Sequence, residues 1–311
     1  MYRDKAMGVV VPAYNEELLI DKVIETMPDY VDKVYVVDDC STDNTSQVVQ
    51  HFNGSRIQLT RHKENSGVGA AIITGYKQAL QDGIDLIAVM AGDNQMDPDE
   101  LPKLLDPVVD GRADYTKGDR LSRHELKRGM SKWRRFGNFL LTQLTRISSG
   151  YWALQDPQNG YAVISKEALA KLDLSKIYPQ YGYCNDLLVR LNVLGLRVVD
   201  IAIPARYGDE KSKIIYGKYI RKVSLLLLNN FIWRIINKYL FPQLKIVGLS
   251  YTVGLSMLLV GILVLFASGV MKSLFAIGGY IIFSGIVMTI FSMFVDAYEQ
   301  GKKPFRLRLD K

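Results

Sequence analysis

Two long uncharged runs near the end of the 311-residue chain constrain its architecture most. Residues 246–271 contain no Asp, Glu, Lys or Arg, and after Lys272 residues 273–295 contain none either. Each run exceeds the roughly 20 residues that a helix needs to cross a bilayer. Buried helices of a soluble protein are disfavoured, because such helices carry a polar face at this length. We therefore expect two transmembrane helices joined by a tight turn, with both outer ends on one side of the membrane.

Basic residues are concentrated beside this hairpin and in one earlier segment. Residues 211–245 carry eight Lys or Arg and no acid, and residues 117–146 carry nine Lys or Arg and two acids. The positive-inside bias predicts a multi-pass protein of the cytoplasmic membrane, with residues 1–215 in the cytosol. Anionic lipid accounts for this basic character. Nucleic acid is not an expected partner, because it would leave the hairpin unexplained.

Residues 216–244 mix basic side chains with Leu, Ile, Phe and Trp. This mixture is typical of an amphipathic juxtamembrane helix in the headgroup plane. A helix packed on the soluble domain is the alternative. The expected division is a cytosolic domain at 1–215, the juxtamembrane segment at 216–244, two transmembrane helices within 245–296 and a basic cytosolic tail at 297–311.

The first part of the chain alternates short apolar runs with helix-compatible stretches. Strands are expected at 8–13, 34–37, 57–60 and 86–90, and helices at 17–27, 45–52, 70–81 and 99–108. This alternation predicts βαβ units and an α/β fold with a mainly parallel sheet. The two cysteines lie far apart in the sequence, which excludes a disulfide scaffold.

Polar turns follow three of these predicted strands. The turns are PAYNEE at 12–17, DDCSTDNT at 38–45 and GDNQMDP at 92–98. Ligands of parallel sheets bind beyond the carboxyl ends of the strands, where these turns lie. Acids at a strand edge repel one another unless they share a positive partner, which favours binding roles for Asp39 and Asp93. Ser41, Thr42 and Asp43 instead suit helix capping.

Four runs in this order resemble the inverting family-2 glycosyltransferases over about residues 7–215: VVVPAYNEE, VVDDCSTDNT, NSGVGAAIITGY and GDNQMDPDELP. The resemblance implies the nucleotide-sugar-binding GT-A fold. With the hairpin, it narrows to polyprenyl-phosphate glycosyltransferases such as the dolichyl-phosphate mannose synthases. It implies transfer of a hexose from a GDP- or UDP-linked donor to dolichyl or undecaprenyl phosphate, with inversion.

The resemblance also implies which residues bind the donor. Pro12, Tyr14 and Glu16 match the loop that packs on the nucleobase and ribose. Asp39 matches the acid that hydrogen-bonds the base. A carboxylate acceptor near an aromatic ring also suits a base with ring N–H donors.

A divalent cation, Mg²⁺ or Mn²⁺, is the implied cofactor. Asp93 matches the last acid of the family's Asp-x-Asp motif and is the expected metal ligand, with a catalytic role through the leaving diphosphate. Gln95 matches a following metal-site residue. The sequence departs from the motif at Ala91, which replaces the first acid. Asp97 is a further candidate, with capping of the next helix as its alternative.

On the acceptor side, the resemblance implies that Arg120, Arg135, Arg206 and Lys213 hold the lipid phosphate, a role that guanidinium groups suit. Asp156 is implied near the reacting centre as a catalytic residue. The pair Asn185-Asp186 matches a helix start where the family often has an acid, with N-capping by Asn185 as the alternative. A helix near Arg135 offers apolar side chains that would guide the prenyl chain: Phe136, Phe139, Leu140, Leu141 and Leu144.

No general base is expected, because the acceptor phosphate is largely ionised at neutral pH. The three histidines His51, His62 and His124 are not spaced for a metal site or a catalytic triad. A processive polysaccharide synthase with a saccharide acceptor is one alternative, but two spans are few for a channel. A non-catalytic membrane adaptor with a degenerate transferase domain is another, supported by Ala91. A homo-oligomer is left open.

Overall fold

A seven-stranded sheet organises the first two thirds of the chain. The computed structural model describes residues 1–52, 54–121, 132–204, 216–241, 244–268 and 274–301, without the side chains of 132–136, 216–221 and 301. Within this part the strand order is β3-β2-β1-β4-β6-β5-β7. The strands are β1 Met7–Ala13, β2 Lys33–Asp38, β3 Ile57–Arg61, β4 Leu86–Val89, β5 Tyr115–Asp119, β6 Ala162–Ser165 and β7 Val198–Ala202.

The predicted mainly parallel sheet is confirmed. β1 pairs in parallel with β2 and β4, β2 with β3, and β5 with β7. β6 is antiparallel to both of its neighbours, β4 and β5. The sheet therefore continues from β4 to β5 through one reversed strand.

Helices connect these strands and continue beyond them. They are α1 Ile20–Glu25, α2 Thr45–Gln50, α3 Val68–Gln81, α4 Leu101–Val109, α5 Lys132–Ser149, α6 Lys166–Ala170, α7 Tyr183–Val193, α8 Tyr216–Arg234, α9 Ile246–Ala267 and α10 Leu274–Gly301. A short 3-10 turn, Pro98–Glu100, precedes α4. The predicted helix at 17–27 is shorter in the structure, because the residues before Ile20 form a turn in which the amides of Leu19 and Ile20 both donate to the carbonyl of Glu16.

Two apolar cores cover the two faces of the sheet. Alternate residues of β1 divide between them: Val9 and Val11 face the core with α1, α2 and α4, and Val10 faces the core with α3, α6 and α7. Burial on both faces explains why β1 is a continuous apolar run, as in parallel sheets generally.

α8 has two apolar faces. Val223, Leu227 and Phe231, four residues apart, are buried. The Ser148 hydroxyl on α5 donates a 2.9 Å hydrogen bond to the carbonyl of Leu227. On the other side, Leu225 and Leu228 are more than half exposed. α8 therefore packs on the sheet domain, as the alternative interpretation predicts, and also presents an apolar surface. Its position in the headgroup plane stays a prediction.

α9 and α10 form a closely packed pair that is long and apolar enough to cross a membrane. Their apolar windows have mean hydropathies of 2.2 and 2.1, and 22% and 17% of the residues in them are buried. A core helix of a soluble protein would be mostly buried. Gly261 permits the close contact, since a Cβ there would lie 2.8 Å from the backbone nitrogen of Ile282. α10 continues past residue 295, so Asp296 lies within the helix.

Candidate active site

The loops after β1 and β2 are joined by hydrogen bonds that their own polar residues supply. The amide of Asn15 donates to Ser41 Oγ at 2.9 Å, and its Oδ1 accepts from the amide of Thr42 at 2.8 Å. The amide of Glu16 donates to Thr45 Oγ1 at 2.8 Å. Asn15 has a φ of +54°, a conformation that Asn tolerates better than most residues. Much of the polar composition of these turns therefore holds the two loops together.

The predicted donor residues of the first loop differ in exposure. Pro12 is buried within β1, where it pairs with Val37. β4 ends at Val89, opposite Val10, so the missing N–H of Pro12 interrupts no ladder with β4. Tyr14, directly after the strand, is 36% exposed.

Asp39 organises a third loop at the same edge of the sheet. Its Oδ1 accepts from the amide of Ser66 at 2.9 Å, and its Oδ2 accepts from the amide of Gly67 at 2.7 Å. His62 Nδ1 also lies 2.8 Å from Oδ1, and His62 Nε2 lies 2.9 Å from Thr74 Oγ1. The spacing of the histidines in the sequence did not indicate a role for His62, because its partner Asp39 follows β2 whereas His62 follows β3.

The loop after β4 holds the predicted metal residues. Asp93 Oδ1 accepts from the amide of Gln95 at 3.1 Å, and both residues are partly exposed. Asp97 accepts from the amide of Asp99 at 3.0 Å and caps the 3-10 turn, as its alternative interpretation predicted. Among the described residues, no three His, Cys, Asp or Glu side chains are grouped as a metal site.

One small pocket joins this loop to the predicted acceptor side. Its lining includes Gln95, Asp97, Arg120, Asn159 and Pro204. Gln95 lies beyond the carboxyl end of β4, and Arg120 follows β5. The structure therefore brings a predicted metal residue and a predicted phosphate contact to one cavity.

Arg120 and Asp156 form a salt bridge. Arg120 Nε lies 2.8 Å from Asp156 Oδ2, and the amide of Arg120 donates to the same oxygen at 3.3 Å. Asp156 is 1% exposed, whereas the Arg120 side chain is 35% exposed. Burial by itself raises the pKa of the Asp156 carboxyl, but Arg120 and Lys117 outweigh it and hold that pKa below its usual value. Asp156 is therefore ionised at neutral pH.

Lys117 and Asp200 lie beneath this pair. The Lys117 ammonium is buried, donates to the backbone carbonyl of Asp156 and lies 3.6 Å from Asp200 Oδ1. Asp200 Oδ2 accepts from the amide of Gln155 at 2.6 Å. Burial raises the pKa of Asp200 to about 6, although Lys117 opposes the shift. These two residues, which the sequence analysis did not single out, fix both ends of the Gln155–Asp156 dipeptide.

Three predicted acceptor contacts fall outside the described structure. Arg206 and Lys213 lie in the undescribed segment 205–215. Arg135 lies near the start of α5, and its side chain is among those not described.

Asn185 and Asp186 have structural partners. Gly182 is the N-cap of α7, so the capping interpretation of Asn185 is wrong. Asn185 is buried inside the first turn and donates to Thr145 Oγ1 on α5 at 2.6 Å. Asp186 pairs with Arg190 Nε at 2.8 Å and accepts from the amide of Tyr178 at 2.9 Å. Both residues hold α7 in place.

Exposed apolar side chains cover one face of α5. Phe139 is 61% exposed and Leu140 is 47% exposed. α5 packs on α8, which has exposed leucines of its own, Leu225 and Leu228.

Comparisons with known proteins identify the family of this chain. A family model described as glycosyl transferase family 2 matches residues 8–173. The UDP-N-acetylglucosamine–dolichyl-phosphate N-acetylglucosaminyltransferase of Methanococcus voltae is 28% identical over 221 residues, 66% of this chain and 88% of that protein. The polyprenol monophosphomannose synthase of Mycolicibacterium smegmatis is 30% identical over 207 residues, 63% of this chain and 75% of that protein.

A solved structure shows the same fold. Glucosyl-3-phosphoglycerate synthase from Mycobacterium tuberculosis, crystallised with Mn²⁺, UDP-glucose and phosphoglyceric acid, matches with a TM-score of 0.57 and 23% identity. The match covers 73% of this chain and 80% of that chain. The predicted GT-A-like architecture is confirmed.

Proposed function

Because this chain belongs to glycosyl transferase family 2, we propose that it transfers a hexose from a GDP- or UDP-linked donor to a polyprenyl phosphate, inverting the anomeric carbon. The observation that carries the proposal is that Arg120 lines one pocket with Gln95, in a chain that also has two long apolar helices. A lipid phosphate needs a cation for its headgroup and an apolar surface for its chain.

The apolar surface for the chain is formed by α5 and α8. Phe139 and Leu140 on α5, with Leu225 and Leu228 on α8, are too exposed to serve the core. Exposed apolar patches of this kind mark surfaces that contact lipid or another protein. In the proposal, these side chains lie at the bilayer surface and the prenyl chain follows them towards Arg120.

Asp93 and Gln95 suit a divalent cation. Mg²⁺ is usually bound by one or two carboxylates together with substrate phosphates and water, so the carboxylate of Asp93, in the loop whose Gln95 lines the pocket, is a sufficient protein contribution. When bound, the cation neutralises the charge that develops on the leaving diphosphate. The hydrogen bond from the Gln95 amide orients the Asp93 carboxylate. The acid that Ala91 replaces in the family motif is then a second carboxylate that the cation does not require.

Asp39 and Tyr14 form the proposed base-binding wall. Asp39 fixes the loop at Ser66 and Gly67, and Tyr14 offers an exposed ring after β1. Asp156 holds Arg120 rather than taking a proton. The acceptor phosphate is itself the nucleophile, because its second ionisation lies near pH 6.

The membrane arrangement is part of the proposal. α9 and α10 span the cytoplasmic membrane as a hairpin, and the basic flanks keep residues 1–215 and the tail at 297–311 in the cytosol. The donor, a soluble nucleotide sugar, then reaches the site from the cytosol.

A donor panel tests the proposal. The full chain in detergent would be incubated with one polyprenyl phosphate, Mg²⁺ and, separately, GDP-mannose, UDP-glucose or UDP-N-acetylglucosamine. Mass spectrometry of the lipid should show one hexosyl product. Transfer to added oligosaccharide, with the lipid unmodified, would identify a polysaccharide synthase instead. Donor binding without turnover on any acceptor would identify the adaptor.

A further inference from the structure

A buried ion pair lies where the membrane hairpin meets the catalytic domain. Arg234 is the last residue of α8, and Asp296 belongs to α10. Both are 0% exposed, and Arg234 Nη1 lies 2.9 Å from Asp296 Oδ2. A buried ion pair must be supported by further polar contacts to offset the loss of water.

Two tyrosines complete the surroundings of the Asp296 carboxylate. The Tyr239 hydroxyl donates to Oδ1, and the Tyr251 hydroxyl lies 3.4 Å from Oδ2. Tyr239 belongs to the π-helical turn Ile235–Leu240, which continues α8, and Tyr251 belongs to α9. Asp296 on α10 therefore contacts α8, the π-helical turn and α9 at the base of the hairpin.

Arg234 reaches from this cluster to the end of α5. Its Nε donates to the carbonyl of Ser148 at 2.8 Å, and its Nη2 donates to the carbonyl of Ile147 at 3.0 Å. The last carbonyls of a helix have no partner within it, and a cation there also favours the helix dipole. Gly150 makes room, since a Cβ at that position would lie 2.5 Å from Arg234 Nη1.

The opposite end of α5 carries Arg135, a proposed contact of the acceptor phosphate. α5 has 18 residues and is therefore about 27 Å long. Arg135 lies near its start, and the exposed Phe139 and Leu140 follow. A helix that is held at one end by the hairpin keeps its other end at a fixed height and tilt relative to the membrane.

We propose that Arg234 is a positioning residue that couples the membrane hairpin, through Asp296, to the acceptor-facing helix α5. The expected effect on acceptor binding rests on the proposed function. The anchoring of α5 by Arg234 does not depend on it. Lys at this position would keep the charge without reaching both carbonyls and Asp296 together, because it lacks the planar fork of Arg.

The test uses the full chain in detergent and two independent readouts. The variants are Arg234→Lys, Arg234→Met and the apolar pair Arg234→Met with Asp296→Leu, which removes the unpaired buried charge that a single change leaves. Leu104→Ala, which creates a cavity on the far side of the sheet, is the control for lost stability alone. The readouts are amide hydrogen exchange across 143–151 and the apparent KM values for polyprenyl phosphate and donor.

In all three Arg234 variants we expect exchange across 143–151 to rise about tenfold or more, equal to about 1.4 kcal/mol. The acceptor KM should rise about fivefold or more, with the donor KM within about twofold. Leu104→Ala should leave the acceptor KM unchanged.

Three results would overturn the inference. Unchanged exchange in folded Arg234→Met would show that the anchor does not hold α5. Faster exchange with an unchanged acceptor KM would leave Arg234 with a structural role alone. An equal rise of the acceptor KM in Leu104→Ala would assign the effect to lost stability. If the wild-type protein ignores polyprenyl phosphate, the proposed function fails, and the exchange readout still decides the anchoring.

Discussion

Arg120 and Asp156 contact each other directly, with Arg120 Nε 2.8 Å from Asp156 Oδ2. The sequence resemblance had assigned the arginine to the acceptor phosphate and the aspartate to the reacting centre. Their pairing links the two roles: Asp156 is buried and ionised, and it orients a guanidinium that is itself partly exposed at the pocket. A carboxylate committed in this way is a poor general base.

Replacing Arg120 by Lys should raise the apparent KM for polyprenyl phosphate about tenfold, with the donor KM unchanged. A planar guanidinium can contact Asp156 and a phosphate together, whereas an ammonium acts as a point charge. Arg112→Lys is the matched control, because Arg112 makes a similar two-nitrogen contact with Asp110 at the surface. Assays at low and high salt complete the measurement. If Arg120→Lys keeps the wild-type KM for polyprenyl phosphate, and this KM changes only with ionic strength, Arg120 instead provides general attraction to the membrane.

Asp156→Asn should lower turnover without removing the acidic limb of the pH–rate profile. That limb, near pH 6, belongs to the acceptor phosphate. Loss of this limb in Asp156→Asn would contradict that assignment, because it would show that the ionisation near pH 6 depends on the Asp156 carboxyl. The profile of kcat/KM between pH 5 and 8 distinguishes the two cases.

The sequence predicted the positions of the first four strands and the sheet edge where their polar turns meet, because burial on both faces makes parallel strands visible as apolar runs. The reversed strand β6 could not be predicted, since a strand of four residues, Ala162–Ser165, carries no sign of its direction. His62 was missed because its partner, Asp39, follows a different strand. Asp296 was missed for another reason: as the first charge after an uncharged run, it marked a boundary, and nothing local indicated Arg234 as its partner.

Asp200 should make the stability of the protein depend on pH. Burial raises its pKa to about 6 in the folded protein, from an ordinary value near 4. The folded chain therefore keeps this proton while the unfolded chain loses it, and the stability contributed by Asp200 falls as pH rises from about 4 to about 6. The total change is about 3 kcal/mol for a shift of about two units. Lys117, Asp119 and Asp156 also face this carboxyl, so their charges set the midpoint.

Asp200→Asn isolates this effect. The difference in free energy of unfolding between wild type and variant, measured by denaturant titration at several pH values, should change across that window and be constant above it. The difference between the two proteins is needed because carboxyls with a lowered pKa, such as Asp114, make the protein more stable as pH rises, which opposes the effect of Asp200. A pH-independent difference would show that Asp200 ionises alike in both states.

The hairpin should tolerate Ala at Gly279 but not at Gly261. A Cβ at Gly261 would lie 2.6 Å from Ile282 Cγ1 and 2.8 Å from its backbone nitrogen, whereas a Cβ at Gly279 meets nothing within 4 Å. Gly261→Ala therefore separates α9 from α10 and should cost about 1–3 kcal/mol. Gly279→Ala should be neutral or slightly stabilising, because Ala favours helix. Thermal unfolding in detergent compares them, and equal midpoints would contradict this packing.

Asp93→Asn should reduce turnover about a hundredfold or more, and Asp97→Asn, in the same loop, should change it only a few fold. Both are partly exposed carboxylates, but Asp97 caps a 3-10 turn while Asp93 is the proposed cation ligand. Loss of that ligand leaves the charge on the leaving diphosphate uncompensated. Calorimetric titration with the nucleoside diphosphate, with Mg²⁺ or with a chelator, provides a readout independent of turnover. Mg²⁺ should tighten binding in wild type and in Asp97→Asn, and have little effect in Asp93→Asn. Equal Mg²⁺ dependence in all three proteins would move the cation away from Asp93.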